Sequence, residues 1–163
     1  MVQLGEWELI FPTRTLSYPV PQEVPTELGA DYREAQLVLR DSKKASAALS
    51  RRVLQVVLRE KANIKKGDLA SEIQQVLDSK QLPTHLAESL DAIRNVGNFA
   101  AHPIKSTNSS AILDVEEHES EWLLGTLADL LDFYYVQPAK ARARTKAVNA
   151  KLQSAGKPPL KTP

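Results

Sequence analysis

The sequence predicts an all-α protein: an antiparallel bundle of about five helices with an extended N-terminal arm and a basic C-terminal helix and tail. Three observations support this prediction. No segment of the 163 residues alternates polar and apolar residues for long enough to form a central sheet. Several segments instead repeat apolar residues at helical spacing. The connections between these segments are short, so sequential helices are expected to be antiparallel neighbours.

The N-terminal arm is predicted over residues 1–28. Its prolines, at positions 12, 19, 21 and 25, are spaced so that no helix can run through them. The apolar residues between Trp7 and Phe11 could form a short strand or an apolar clasp on the bundle. The arm is therefore expected to be extended, and to precede a bundle over 29–137 and a basic helix and tail over 138–163.

Apolar periodicity defines the helices of the bundle. They are expected over residues 31–41, 45–62, 69–82, 84–103 and 115–135. The second helix carries two apolar stripes, which is typical of a central position in a bundle. Asp68 is a candidate N-cap for the third helix, and residues 105–111 are expected to form a loop because they are rich in Ser, Thr and Asn. The fifth helix is the most apolar.

The formal charge of +1 conceals an uneven distribution. Residues 138–163 contain seven basic residues and no acidic one, a charge of +7, so the other residues carry 14 basic and 20 acidic groups, a charge of −6. The tail is compatible with a solvated segment that aids solubility or lies on the acidic body of its own or a neighbouring chain. It is also compatible with phosphate contacts to nucleic acid through charge alone, since it has no aromatic residue to stack on bases.

Several function classes are excluded by composition. The chain has no cysteine, which excludes disulfides, thiolate metal sites and a nucleophilic thiol. No apolar run approaches the roughly 20 residues that a membrane span needs, and the N-terminus lacks the order of a signal peptide, so a cytoplasmic protein is expected. The three histidines form no metal-binding motif and no glycine-rich loop is present, so neither a metal nor a cofactor is predicted.

One face of the predicted fourth helix carries an unusual set of polar residues. At 100° per residue, Asp91, Arg94, Asn95, Asn98 and His102 fall within an arc of about 100°. An ordinary solvent-facing stripe is one interpretation. Such stripes usually consist of Lys and Glu, however, whereas this one offers a guanidinium, two amides and an imidazole, which are groups that bind and transfer protons. The stripe is therefore a candidate site.

The residues of this stripe also carry a resemblance to a known family. The run IRNVGNFAAHP, residues 93–103, resembles the signature of the domain of unknown function 4145. Segments 31–35, 45–54 with its Arg51-Arg52 pair, and 135–138 are similar to flanking segments of that family. That family in turn resembles the HEPN superfamily of all-α bundles, which often dimerise. Many HEPN proteins are metal-independent endoribonucleases of toxin–antitoxin and phage-defence systems, and related domains are fused to restriction-enzyme subunits.

The resemblance implies catalytic roles for two residues. Arg94 matches the arginine of the HEPN motif, Asn95 its polar follower and His102 its histidine, although seven residues separate Arg94 and His102 here instead of four to six. On a straight helix the two side chains would lie about 80° apart and roughly 12 Å along the axis. A kink at Gly97, or pairing across a dimer axis, would restore convergence.

The hypothesis that follows is RNA cleavage without a metal. His102 would act as general base on a ribose 2′-hydroxyl or as general acid toward the leaving oxygen, and Arg94 would stabilise the charge of the transition state. Asn95 and Asn98 would position phosphate. Further residues that could hold RNA are Arg51, Arg52, Lys140, Arg142, Arg144 and Lys146. For Arg51 and Arg52 an ion pair with the acidic body is the alternative, with Asp91 as one candidate partner.

A second hypothesis is a non-catalytic dimerising module. The apolar helix around Trp122 to Tyr135 has more large apolar residues than one helix of a small bundle needs, which predicts a homodimer interface. The Arg/Asn/His stripe would then serve structure. The partners expected from sequence are thus a second copy, RNA, and an antitoxin or restriction-system subunit, with no membrane.

Overall fold

The structure, a computed structural model, describes residues 17–96 and 117–160. All the regular secondary structure of these residues is helical and they contain no strand, which confirms the predicted all-α class. The helices are α1 (Thr26–Leu37), α2 (Lys43–Lys61), α3 (Leu69–Ser79), α4 (Thr84–Val96), α5 (Glu117–Leu131) and α6 (Gln137–Ser154), with a π turn (Asp132–Val136) between the last two. The apolar segment near Trp7, the predicted loop 105–111 and residues 97–103 of the predicted fourth helix lie outside the described residues.

Local capping explains where the helices begin. The first helix starts at Thr26, five residues before the predicted Asp31, because Pro25 is at its N-cap and its carbonyl accepts the first helical bond, from Gly29 N at 2.8 Å. A proline suits this position, since the first turn needs no N–H from it. The prediction for Asp68 is confirmed, because its carboxylate accepts from Ser71 N at 2.8 Å at the start of α3.

Helix α2 is the centre of the bundle, as its two apolar stripes predicted. Helices α1, α3 and α5 all pack against it, and α4 packs between α3 and α5. The α2 side chains of Val53, Leu54, Val57 and Leu58 are all fully buried. Burial of large apolar side chains contributes roughly 1.5–3 kcal/mol each, so this helix supplies much of the core energy.

A buried carboxylate fixes the connection between α2 and α3. Glu72 of α3 is 0% exposed, and its Oε1 accepts from Arg59 Nε at 2.7 Å and from Gly67 N at 2.8 Å. Arg59 also donates to the Gly67 carbonyl at 3.1 Å. The ion pair therefore holds the loop before α3 against α2. It also helps to position α3, which carries Gln74, a hydrogen-bond partner of Arg94.

The π turn joins the apolar helix α5 directly to the basic helix α6. The sequence placed the end of the fifth helix at Tyr135, whereas in the structure the helical chain continues through the turn to Ser154. Pro138 lacks an N–H, and the wider π turn before it absorbs this break in the helical hydrogen bonding.

Tyr135 anchors this turn to the end of α2. Its hydroxyl donates to Glu60 Oε2 at 2.8 Å, and Lys61 Nζ lies 4.2 Å from the centre of its ring. Burial, together with the neighbouring Glu60 carboxylate, raises the pKa of Tyr135 above its ordinary value, so the hydroxyl stays a donor at neutral pH. The base of α6 is therefore fixed on the bundle.

Candidate functional site

Arg94 lies in the last turn of α4 and contacts two partners. One terminal nitrogen donates to Asp91 Oδ1 at 2.7 Å, and the other donates to the side-chain oxygen of Gln74 on α3. Its Nε is buried and has no hydrogen-bond partner among the described groups. The side chain remains 32% exposed. Two helices thus hold the guanidinium in one orientation while leaving part of it open to solvent.

Asp91 also contacts Asn95, the next residue of the predicted stripe. Asn95 Nδ2 donates to Asp91 Oδ2 at 3.4 Å, and Asn95 is exposed. The structure therefore brings Asp91, Arg94 and Asn95 together as the helical spacing predicted. Asn98 and His102 lie outside the described residues, so their convergence with Arg94 stays a prediction.

The chemistry of this cluster is limited by Asp91. Its carboxylate neutralises Arg94, and a phosphate would have to compete with it or bind the exposed edge of the guanidinium. Gln74 is uncharged, so it does not neutralise the guanidinium in this way. A guanidinium that is already oriented is an effective phosphate ligand because little side-chain entropy remains to be lost.

The Arg51-Arg52 pair on α2 has a different setting. Arg52 is 69% exposed, and its Nε lies 3.5 Å from Asp31 Oδ2, so the predicted ion-pair alternative is observed, with Asp31 in place of Asp91. Arg52 lines an open groove of about 460 Å³ together with Glu27, Asp31 and Glu60. Three carboxylates in this groove disfavour the approach of phosphate. Arg51 is half-buried, and this burial lowers the pKa of its guanidinium.

Helix α6 carries five of the seven basic residues of the segment 138–163. It has no buried residue and, among the described elements, its substantial contacts are with the π turn alone. Its five basic side chains are all exposed, and the helix contains no acidic residue. They are Lys140, Arg142, Arg144, Lys146 and Lys151. With 18 residues, α6 is about 27 Å long. It is therefore a positively charged helix that begins on the bundle and extends away from it.

The apolar residues of α5 are mostly used within the chain. Leu124, Leu127, Leu130 and Leu131 are buried in the core, whereas Trp122 is 39% exposed. The predicted homodimer interface thus has one large exposed apolar side chain at its start. The interface stays a prediction.

Two further properties concern possible ligands. In the parts of the chain that the structure describes, no group of three His, Asp or Glu side chains is arranged to hold a metal ion. None of the described helices combines the length and the apolar character that crossing a membrane requires.

Comparison with known proteins places the chain in a family. No curated protein and no solved structure matches it significantly. A family model described as "Domain of unknown function (DUF4145)" matches residues 33–154, about three quarters of the chain. The match begins within α1 and ends at the residue where α6 ends, so the basic helix lies within the matched region together with most of the bundle. The chain therefore belongs to the DUF4145 family.

Proposed function

We propose that this protein binds nucleic acid through phosphate contacts of α6. The observation that carries the proposal is that α6 has no buried residue and presents five exposed basic side chains and no acidic one along about 27 Å. Lys and Arg side chains that neutralise phosphates release condensed counterions, which supplies most of the affinity of sequence-independent binding.

The position of α6 supports a ligand outside the chain. The helix does not lie along the acidic groove that contains Glu27, Asp31 and Glu60, because its substantial contacts within the described structure are with the π turn. Most helices in proteins depend on an apolar face packed against a core, which α6 lacks. An exposed helix of this charge gains stability when a polyanion binds it.

The finer proposal is a metal-independent endoribonuclease of a defence or toxin–antitoxin type system. Its support is the resemblance carried by Arg94, Asn95 and His102, and the preorganised guanidinium of Arg94. In this proposal the 2′-oxygen attacks the phosphorus and the bond to the 5′-oxygen breaks, with Arg94 stabilising the phosphorane-like transition state. His102 acts as general base on the 2′-hydroxyl or as general acid toward the leaving 5′-oxygen, and Asn95 and Asn98 position the phosphate. The family resemblance makes an antitoxin or a restriction-system subunit the expected protein partner.

RNA cleavage in EDTA tests the finer proposal. Wild-type protein is expected to cleave labelled RNA without added metal, and His102→Ala and Arg94→Ala are each expected to reduce the rate by about 10²-fold or more, because each removes a group that acts in the transition state. Arg52→Ala is the control, since Arg52 lies in the acidic groove and is expected to leave the rate unchanged. If wild type and both variants leave a range of RNAs equally intact, the ribonuclease proposal fails.

A second candidate function, a non-catalytic dimerising module, is favoured by the exposure of Trp122. An indole 39% exposed at the start of the most apolar helix is typical of an interface anchor. Sedimentation equilibrium is expected to show a dimer for wild type and a monomer for Trp122→Glu. Val148→Glu, at a residue 44% exposed on α6, is the matched control and is expected to remain dimeric. A monomeric wild type would contradict this candidate.

A further inference from the structure

The arrangement of charge around α6 points to a particular form of nucleic acid. We propose that α6 lies in the major groove of B-form DNA, with a face of small side chains toward the bases and two rows of basic side chains on the phosphates of opposite strands. This inference rests on the proposed function, because it names the ligand of the helix that we propose to bind nucleic acid.

The basic residues of α6 form two rows. At 100° per residue, Lys140, Arg144 and Lys151 fall within about 40° of one another on one side of the helix, and Arg142 and Lys146 fall within about 40° on another. All five side chains are exposed. A single basic row would follow one phosphate strand, whereas two rows can contact two strands at once.

The narrower gap between the two rows contains only small side chains. Ala143, Ala147, Ala150 and Ser154 occupy it, and each is exposed. With such side chains a helix is at the slim end of the usual 10–12 Å diameter. It can therefore approach the floor of a groove closely while longer basic side chains extend to both walls.

The apolar residues of α6 lie on the other side. Val148 and Leu152 fall there, and the C-terminal segment folds back toward the same side, where Leu160 N donates to Asn149 Oδ1 at 2.8 Å. A hydrogen bond from Lys157 N to the Leu152 carbonyl at 2.9 Å starts this reversal. The folded-back segment thus leaves the small-residue face uncovered.

These dimensions fit one type of groove. The major groove of B-form DNA is about 12 Å wide and admits an α-helix. The major groove of an A-form RNA duplex is deep and too narrow for a helix. Proteins that bind single strands typically combine basic side chains with aromatic side chains on which the bases stack, and α6 has no aromatic residue. The two-row arrangement therefore favours duplex DNA over both duplex and single-stranded RNA.

The expected binding has little sequence preference. Alanine methyl groups on the inner face offer no hydrogen-bond donor or acceptor to the base edges, so bases are not distinguished by direct readout. The basic rows contact phosphates, which position a protein on the duplex without reading its sequence.

The test uses the full-length protein. It compares four nucleic-acid ligands, and then variants on two sides of α6. Affinities are measured by fluorescence anisotropy for a labelled 20-base-pair DNA duplex, its single strand, and the RNA duplex and single strand of the same sequence. We expect the wild type to bind duplex DNA about tenfold more tightly than the other three, since only that ligand engages both basic rows.

Two phenylalanine variants of equal charge identify the face. Ala147→Phe fills the small-residue face, whereas Ala141→Phe adds the same side chain to the opposite side of the same exposed helix. The first is expected to weaken binding to duplex DNA by about tenfold or more, because it lifts the helix and its basic rows from the groove, and the second to leave it within about twofold. Circular dichroism checks that both keep wild-type helicity.

The outcomes separate this inference from the proposed function. Equal or tighter binding of either RNA form, or of single-stranded DNA, would overturn the assignment to duplex DNA while leaving nucleic-acid binding intact. Equal effects of Ala147→Phe and Ala141→Phe would overturn the groove orientation. If none of the four ligands binds, the proposed function itself fails, and the inference fails with it.

Discussion

Replacing Arg59 with methionine is expected to destabilise the protein by about 3–5 kcal/mol, because it leaves the buried Glu72 carboxylate without its counter-charge. Glu72 is 0% exposed and has two partners, Arg59 and Gly67 N, while its Oε2 has none among the described groups. Methionine keeps the length and helix propensity of the arginine stem, so the loss reports the guanidinium group, through its ion pair with Glu72 and its hydrogen bond to the Gly67 carbonyl. The free energy of unfolding from urea titration measures it.

A double variant and a surface variant control this prediction. Arg59→Met with Glu72→Met removes the buried charge together with its partner and is expected to recover most of the lost stability. Arg52→Met removes an arginine whose ion pair with Asp31 is exposed, so it is expected to cost no more than about 1 kcal/mol. If Arg59→Met is as mild as Arg52→Met, the ion pair does not fix the connection between α2 and α3.

Neutralising one basic row of α6 is expected to have the largest effect on nucleic-acid binding. Replacing Lys140, Arg144 and Lys151 together with glutamine removes three exposed phosphate ligands while keeping good helix formers. Each phosphate contact contributes about 0.9 to the slope of log affinity against log salt on duplex DNA, so three contacts correspond to a loss of roughly 500-fold at 0.1 M salt. Anisotropy titration of a labelled duplex measures the change.

A variant of equal charge controls for net charge. Arg33, Arg40 and Lys66 are exposed basic residues of the body, and replacing these three with glutamine changes the formal charge by the same amount. Their loss is expected to weaken binding by less than about threefold, since they make no phosphate contact and act only at long range. Equal losses from the two triple variants would contradict a role for α6 itself.

Helix positions follow from sequence where apolar periodicity decides them. The two apolar stripes of the second helix predicted the central position of α2, and Asp68 predicted the start of α3. The continuity of α5 with α6 could not be predicted in the same way. Pro138 usually marks a break, and the π turn that accommodates it depends on packing of Tyr135 against α2.

Part of the candidate site can also be predicted from sequence, namely the part that depends on the spacing of residues along one helix. Helical spacing alone places Asp91, Arg94 and Asn95 on one face, and the structure shows them in contact. The contact of Arg94 with Gln74 and that of Arg52 with Asp31 join different helices. Such contacts depend on how the helices pack, which no local pattern specifies. The charge of the tail, by contrast, follows directly from its composition. Its exposure follows from the lack of an apolar face that could pack on the bundle.

The salt dependence of binding by the wild-type protein tests nucleic-acid binding through α6 most directly. Affinity for the labelled 20-base-pair duplex is measured by anisotropy from 50 to 400 mM salt. Five phosphate contacts predict a linear decrease of log affinity with log salt, with a slope of about −4.5. No measurable binding at 50 mM salt, or a slope near zero, would contradict the account, because contacts to phosphate by Lys and Arg cannot form without releasing counterions.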